Sequence, residues 1–226
     1  MVKGSRPLRS RRIGFRSTQR ILVGTYDRQV FLNVPFDNRY KKVLHALIFG
    51  VHQCGLVARC AQEADDGGQV RVVKLYNVIA ECRFGIHDLS RTTLDSEYRL
   101  PRFNMPLELG IFLGARRYGA GHQRRKSCLI LDRDRYRYQV FCSDIAGQDI
   151  RAHSNEVEAA LRAVRNWLQA NLPYSQVLSS SALLVRRYVE FRQQLPFICR
   201  MESSTPAELT FLDYKRLVTY WIEENP

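Results

Sequence analysis

Between positions 29 and 170 the chain alternates short apolar runs with longer segments whose apolar residues recur every three or four positions, and few folds accept that rhythm. Gln29-Val-Phe-Leu-Asn33 is an apolar run closed by Asn-Val-Pro, which predicts a buried strand emptying into a loop. Residues 39–54 predict a helix stopped at Gly55, with Val43, Leu44, Leu47, Ile48 and Val51 on a stripe that Ala46 and Phe49 broaden. A second strand is expected over 56–60, a loop at Asp65-Asp-Gly-Gly68, a second helix over 72–82 and a third strand over 83–88. A polar connection over 89–103 leads to a helix starting near Asn104, a good N-cap, with Pro106 tolerated in the first turn. Residues 127–131 predict a fourth strand, 136–145 a short helix or ordered loop, 149–153 a weaker fifth strand, and 155–170 a closing amphipathic helix.

Strands and helices alternating at this spacing imply a parallel sheet covered on both faces. The expected fold class is α/β: a doubly wound, flavodoxin-like five-stranded parallel sheet of order 2-1-3-4-5 with a C-terminal helical appendage. Beyond Pro173 the alternation stops, and 181–195 and 210–224 predict helices, the second through Tyr214, Leu217, Val218 and Trp221. The expected division is a basic tail of flexible composition over 1–27, the α/β domain over 28–172, and a helical extension over 173–226. A chain of 226 residues suits one well-filled core with a small addition. No apolar run approaches the ~20 residues that cross a bilayer, which favours a soluble protein with no membrane partner.

The formal charge of +13 is unevenly spread. Residues 1–26 hold Lys3, Arg6, Arg9, Arg11, Arg12, Arg16 and Arg20 with no acid, so more than half of the excess sits there. Such a tail can bind RNA, DNA or an acidic partner by neutralising phosphate, can be a solubilising flap, or can be an organelle transit peptide, though its helical apolar face is poor. The cluster Arg124-Arg-Lys126 adds to the nucleic-acid reading. The six cysteines are scattered singly, without a CxxC pair or histidines at zinc-finger spacing, which fits a reducing cytoplasm and predicts no metal site.

In a sheet of order 2-1-3-4-5 the chain leaves strands 1 and 3 in opposite directions, opening a crevice beyond their carboxyl ends where ligands bind. The residues this selects are Asn33, Phe36 and Asp37 after strand 1, with Tyr40 beyond them, and Asp88, Arg91, Asn104, Met105 and Glu108 after strand 3. Glu108 is expected to be ionised at neutral pH, favoured by the positive end of its helix. A fixed carboxylate in a water-poor crevice can stabilise an oxocarbenium-like sugar or attack its anomeric carbon. Asp88 can accept from sugar hydroxyls, Asn104 can cap its helix or orient a ribose, and amides near Met105 and Leu107 offer donors to phosphate. Arg59, Arg71 and Arg91 are candidate phosphate ligands; Phe36 and Tyr40 either stack on a base or plug the core. Gly110 and Gly114, one turn apart, are expected to let the helix approach the sheet and bring Glu108 to the strand ends.

The stretch Phe84-Gly-Ile-His-Asp-Leu-Ser-Arg91, followed by Phe103-Asn-Met-Pro-Leu-Glu-Leu-Gly-Ile-Phe-Leu-Gly114, resembles bacterial TIR-like nucleotide-binding proteins and the related nucleoside 2-deoxyribosyltransferase-like group. In those families a strand ending in Asp-Leu-Ser or a similar triplet leads to an Asn-x-x-x-Glu-Leu-Gly helix. Val30-Phe-Leu-Asn-Val-Pro-Phe-Asp37 is similar to their first strand and loop, so the likeness covers 28–154. It implies an N-glycosidase acting on NAD or another nucleotide, with Glu108 matching the catalytic glutamate. The nucleotide is then substrate or ligand, with no further cofactor. A role in antiviral defence, and a homo-oligomer or activating partner protein, follow from the same likeness. Met105-Pro106 departs from the aromatic or aliphatic pair usual before Glu-Leu-Gly, which bears on substrate choice. Two other functions compete: a non-catalytic sensor of a nucleotide signal, and a nucleic-acid-binding accessory subunit.

Overall fold

The computed structural model describes residues 25–63, 67–92, 94 and 103–226. Most of the basic tail, the centre of the Asp-Gly loop and most of the polar connection over 89–103 lie outside the described residues. Five parallel strands, β1 (Gln29–Asn33), β2 (Val57–Arg59), β3 (Phe84–Asp88), β4 (Ser127–Asp132) and β5 (Ile150–Ala152), stand in the order 2-1-3-4-5. The helices are α1 (Lys41–Gln53), α2 (Arg71–Glu81), α3 (Asn104–Tyr118), α4 (Val157–Asn171), α5 (Ser181–Met201) and α6 (Phe211–Glu224), with short 3-10 turns between β4 and β5. The chain therefore forms the expected doubly wound α/β sheet of flavodoxin-like order.

Alternation along each strand divides the interior. Val30 and Leu32 of β1, with Phe84 and Ile86 of β3, point into the core shared with α1 and α4. Phe31 points the other way, where Leu75, Val78 and Ile79 of α2 and Phe112 of α3 receive it. Gly85 faces this second core without a side chain for a steric reason. A Cβ there would lie 2.7 Å from Nε2 of His87 and 2.8 Å from the Phe112 ring, so any larger residue would push α3 off the sheet.

Helix α1 is buried at every position from Val43 to His52. The sheet covers one side, and α5 and α6 cover the other through Tyr188, Phe191, Tyr214, Leu217 and Trp221, all within the core that also holds α1 and α4. The ring of Phe49 lies 5.3 to 5.8 Å from Tyr188, Phe191 and Trp221. A helix apolar all round must be enclosed, so the breadth that Ala46 and Phe49 give the α1 stripe is the trace of this second layer. Two histidines join the layers. His45 stacks on Tyr214 at 3.7 Å, and His52 accepts from the Ala58 amide at 3.2 Å while contacting Thr219 at 3.0 Å. Burial lowers both imidazoles to about 3.

The expected helix end at 195 is too early. Helix α5 continues through Pro196 to Met201, because the proline faces solvent and only one ladder bond is lost, while Cys199 stays buried beyond it. Helix α6 opens with a capping box in which the Thr210 side chain accepts from the Asp213 amide and Asp213 accepts from the Thr210 amide. Among the described residues no helix is long and apolar enough to cross a membrane.

Candidate active site at the carboxyl edge of the sheet

Strands β1, β3 and β4 end in polar residues, Asn33, Asp88 and Asp132, and His153 follows β5; all four are at most 1% exposed. Period-two alternation sorts them. Asp88 continues the Phe84–Ile86 side toward α1, whereas Asn33 and His87, paired across the sheet, lie on the side of α2 and α3.

On the α1 side the Asp88 carboxylate finds partners at both oxygens, while Ser90 Oγ and His153 Nε2 make no hydrogen bond of their own. Tyr40 Oη donates a short hydrogen bond to Oδ2 of Asp88, and the Ser90 amide donates to Oδ1 at 2.8 Å. Nε2 of His153 lies 2.9 Å from Oδ2, off the line of a good hydrogen bond but close enough for electrostatic attraction. The Asn155 amide donates to Nδ1 of His153 at 3.0 Å, which leaves the ring proton on Nε2, toward Asp88. Burial pushes the Asp88 carboxyl up, but His153, Ser90 and Tyr40 together hold it below the ordinary range. Burial and the adjacent carboxylate push the Tyr40 phenol well above its usual value. Next to this group, Arg137 donates to Asp132 Oδ1 through Nε at 2.9 Å and reaches the Leu89 carbonyl at 2.6 Å. Asp88 thus holds three protein donors or cations, and Tyr40 is a buried partner of it.

On the other side the account does not close. Asn33 Nδ2 donates to the Met105 carbonyl at 2.8 Å and to Nδ1 of His87 at 3.0 Å. Burial lowers His87 to about 3, so the ring is neutral and Nδ1 accepts. Both amide hydrogens are then committed, the amide orientation is fixed, and Oδ1 of Asn33 is left buried without a partner. Glu108, one turn into α3, is 8% exposed, and no hydrogen bond or ion pair reaches its carboxylate among the described residues. Burial raises it to about 7, with the Arg71 guanidinium opposing. With a value of about 7, Glu108 is about half ionised at neutral pH rather than fully so, because desolvation outweighs Arg71.

Several neighbouring assignments also change. Phe103 is the N-cap of α3 and Asn104 is its first helical residue, exposed and making no capping hydrogen bond. The Leu107 amide is spent on the Phe103 carbonyl, and Pro106 has no N–H, so the first turn offers fewer donors to an anion than expected. Gly110 and Gly114 do not face the sheet, since a Cβ at either meets nothing within 4 Å; Phe112 makes the close approach instead. Asp37 and Arg91 pair with each other, Nε to Oδ2 at 3.0 Å and Nη2 to Oδ1 at 2.8 Å, which ties the loop after β1 to the loop after β3. Arg59 is engaged by Glu63 and Glu81. Arg71 enters no ion pair closer than its field on Glu108 among the described residues, and Phe36 stands about a third exposed at the rim.

Sequence reasoning missed His153, Asp132 and the Asn33–His87 pair. The crevice argument singles out the ends of β1 and β3 alone, so the polar residues at the ends of β4 and β5 fell outside it, although both lie at the same carboxyl edge. A separate hollow of about 330 Å³ lies beside the first halves of β4 and β5, lined among others by Arg116, Asp149, Arg151 and Trp167. It holds none of the unpartnered buried groups, so the chemistry points to the β1–β3 crevice instead. Comparison with protein-family models, with curated proteins and with solved structures yields no match. What the arrangement offers chemically is a desolvated carboxyl that titrates near neutrality, an adjacent guanidinium, and an oriented amide oxygen without a partner.

Proposed function

We propose that the protein cleaves the N-glycosidic bond of NAD or a related nucleotide, with Glu108 as the carboxylate facing the anomeric carbon. The observation that carries this reading is Glu108 itself, 8% exposed and with no hydrogen bond or ion pair among the described residues, on the helix whose first turn meets Asn33 at the end of β1. A partly desolvated carboxylate interacts most strongly with positive charge that moves toward it during the reaction, because the field between them is only weakly screened by water. A pyridinium ribosyl group meets that requirement. As the C1′–N bond breaks, its electron pair neutralises the pyridinium nitrogen and positive charge passes to C1′ and the ring oxygen. Ionised Glu108 stabilises that charge or closes onto C1′ as an ester, and water then supplies hydroxyl to C1′ and releases one proton. Arg71 is the guanidinium for the diphosphate, and the oriented Asn33 Oδ1 accepts from a ribose hydroxyl. The likeness to TIR-like proteins would place such an activity in antiviral defence.

Incubation of purified protein with NAD, and separately with nucleoside monophosphates, is expected to release free base detectable by chromatography. Glu108→Gln should reduce the rate on the order of 10³-fold. Because the ionised form is the active one, kcat/KM should rise with pH through the Glu108 value of about 7 and level off above it. Release that persists at the wild-type rate in Glu108→Gln, or inertness in both dilute and self-associated protein, would remove this reading.

The sensor reading has one observation of its own. Asp37 bridges to Arg91 and also accepts from the Arg39 and Tyr40 amides at the start of α1, whose far side carries α5 and α6. A ligand that breaks the bridge would act on that stack. Calorimetry showing tight nucleotide binding without product after long incubation would select it.

A further inference from the structure

The edge of the sheet farthest from β2 is unevenly covered. β5 begins at Ile150, opposite Ile130, so Ser127, Cys128 and Leu129 at the start of β4 have no partner strand on that side. The ladder shows which way their backbone groups turn. The Ser127 amide donates to the Arg83 carbonyl at 3.0 Å, and the Leu131 carbonyl accepts from the Leu89 amide at 2.8 Å, so residues 127, 129 and 131 turn their peptide groups toward β3. Alternation turns those of Cys128 the other way, where neither its N–H nor its C=O takes a backbone partner among the described residues.

What stands there instead is the hollow of about 330 Å³. It reaches across the sheet edge from Leu113 and Arg116 of α3, past Cys128 and Leu129, to Trp167 of α4. The pleat sorts its lining: Leu113 packs with Cys128 on the α3 side, and Leu129 and Trp167 belong to the core on the α4 side. The Trp167 indole donates to Ser127 Oγ at 3.3 Å, which ties that wall to the strand. Arg116 enters no ion pair among the described residues and is close enough to Cys128 to oppose the burial that raises its thiol. Arg151 spends Nη1 on the Ala163 carbonyl at 3.2 Å and leaves Nη2 3.8 Å from Asp149, the acid that lines the hollow, whose side chain is 89% exposed.

These features select a ligand. A small carboxylate meets Arg116 but only accepts, so it leaves the Cys128 carbonyl unmatched. A peptide unit supplies both a donor and an acceptor, and only extended chain has them free, since a helix spends its own. Side chains of an extended chain alternate between faces. Acids at every second position then fall on the α3 side with Arg116, and apolar residues between them on the side of Leu129 and Trp167. We propose that the uncovered start of β4 binds an extended segment of a partner protein as an added strand, a segment in which acidic and apolar residues alternate. This surface does not depend on any role of Glu108.

Fluorescence anisotropy of full-length protein with a labelled, capped pentapeptide alternating glutamate and leucine tests this. Methylating the amides of one alternate set of its residues should abolish binding, and methylating the other set should leave it, because only one set faces β4. Arg116→Glu should weaken binding about tenfold or more with unchanged thermal melting, and Arg116→Lys should retain it; the glutamine version of the peptide should lose a similar factor. Hydrogen exchange gives a readout independent of affinity. The Cys128 amide should exchange roughly tenfold or more faster than that of Leu129 in the free protein, and slow by a similar factor when peptide is bound. No binding up to about 1 mM peptide, equal binding after either methylation, or displacement by free glutamate at the same concentration would overturn the proposal. So would a Cys128 amide already as protected as Leu129, or protected by raised protein concentration alone, which would give the edge to a second copy.

Discussion

Two acids at the same edge of the sheet, Asp88 and Glu108, have opposite circumstances. Both are buried, but Asp88 receives Tyr40, the Ser90 amide and His153, whereas Glu108 receives no hydrogen bond among the described residues. Their carboxyls move in opposite directions as a result: that of Asp88 falls below its ordinary range, and that of Glu108 rises to about 7. Burial alone therefore does not mark a functional group. A satisfied buried acid holds elements together, here the start of α1 to the ends of β3 and β5, while an unsatisfied one costs stability and needs a ligand to offset that cost.

The largest effect expected from this contrast is at Asp88. Asp88→Ala removes the acceptor shared by Tyr40 and His153 and leaves both buried without it, which should cost about 3–5 kcal/mol of stability in urea unfolding at pH 7. Because the folded carboxyl lies below its unfolded value, this contribution is present above the ordinary carboxylate range and is lost as pH falls through the folded value. A loss below about 1 kcal/mol, the scale of an exposed pair, would break the comparison by making Asp88 dispensable to the fold and available to a ligand.

Glu108 carries the opposite sign. Its folded value, about 7, lies above the ordinary 4.5, so ionisation at neutral pH is a burden on the folded state that grows as pH rises between those values and is constant beyond. Glu108→Gln should raise stability by roughly 2–3 kcal/mol at pH 8 and leave it nearly unchanged at pH 4. A variant that loses activity while gaining stability would separate the group's chemical role from any structural one. Equal stability at both pH values would mean the carboxylate finds water or a cation that offsets its burial.

The sheet order and the element sequence were legible because they rest on periodicity and on the spacing of alternating strands and helices. Which acid would be satisfied was not legible. The partners of Asp88 come from α1 and from the residue after β5, at sequence separations of 48 and 65, and no local pattern announces that they meet. Likewise α1 read as a helix against a sheet, although its all-round apolarity already required a second cover, which α5 and α6 supply. Position 85 shows the limit from the other side. Its glycine is required by Phe112 and His87 across a gap that exists only once α3 is docked, while the more conspicuous Gly110 and Gly114 face open space.

That last contrast yields the smallest and cleanest expected effect. If Gly110 and Gly114 allowed α3 to approach the sheet, alanine at either would force the helix outward and destabilise the fold. With nothing within 4 Å of an added Cβ, the backbone entropy of glycine in a helix interior decides the sign instead. Gly110→Ala and Gly114→Ala should each stabilise by roughly 0.5–1 kcal/mol, whereas Gly85→Ala, with 2.7 and 2.8 Å approaches to His87 and Phe112, should destabilise. Thermal unfolding of the three variants reads the docking of α3 directly. Since Glu108 is buried by that docking, destabilisation at Gly110 would mean a helix rotated from its place here and a carboxylate in a different environment.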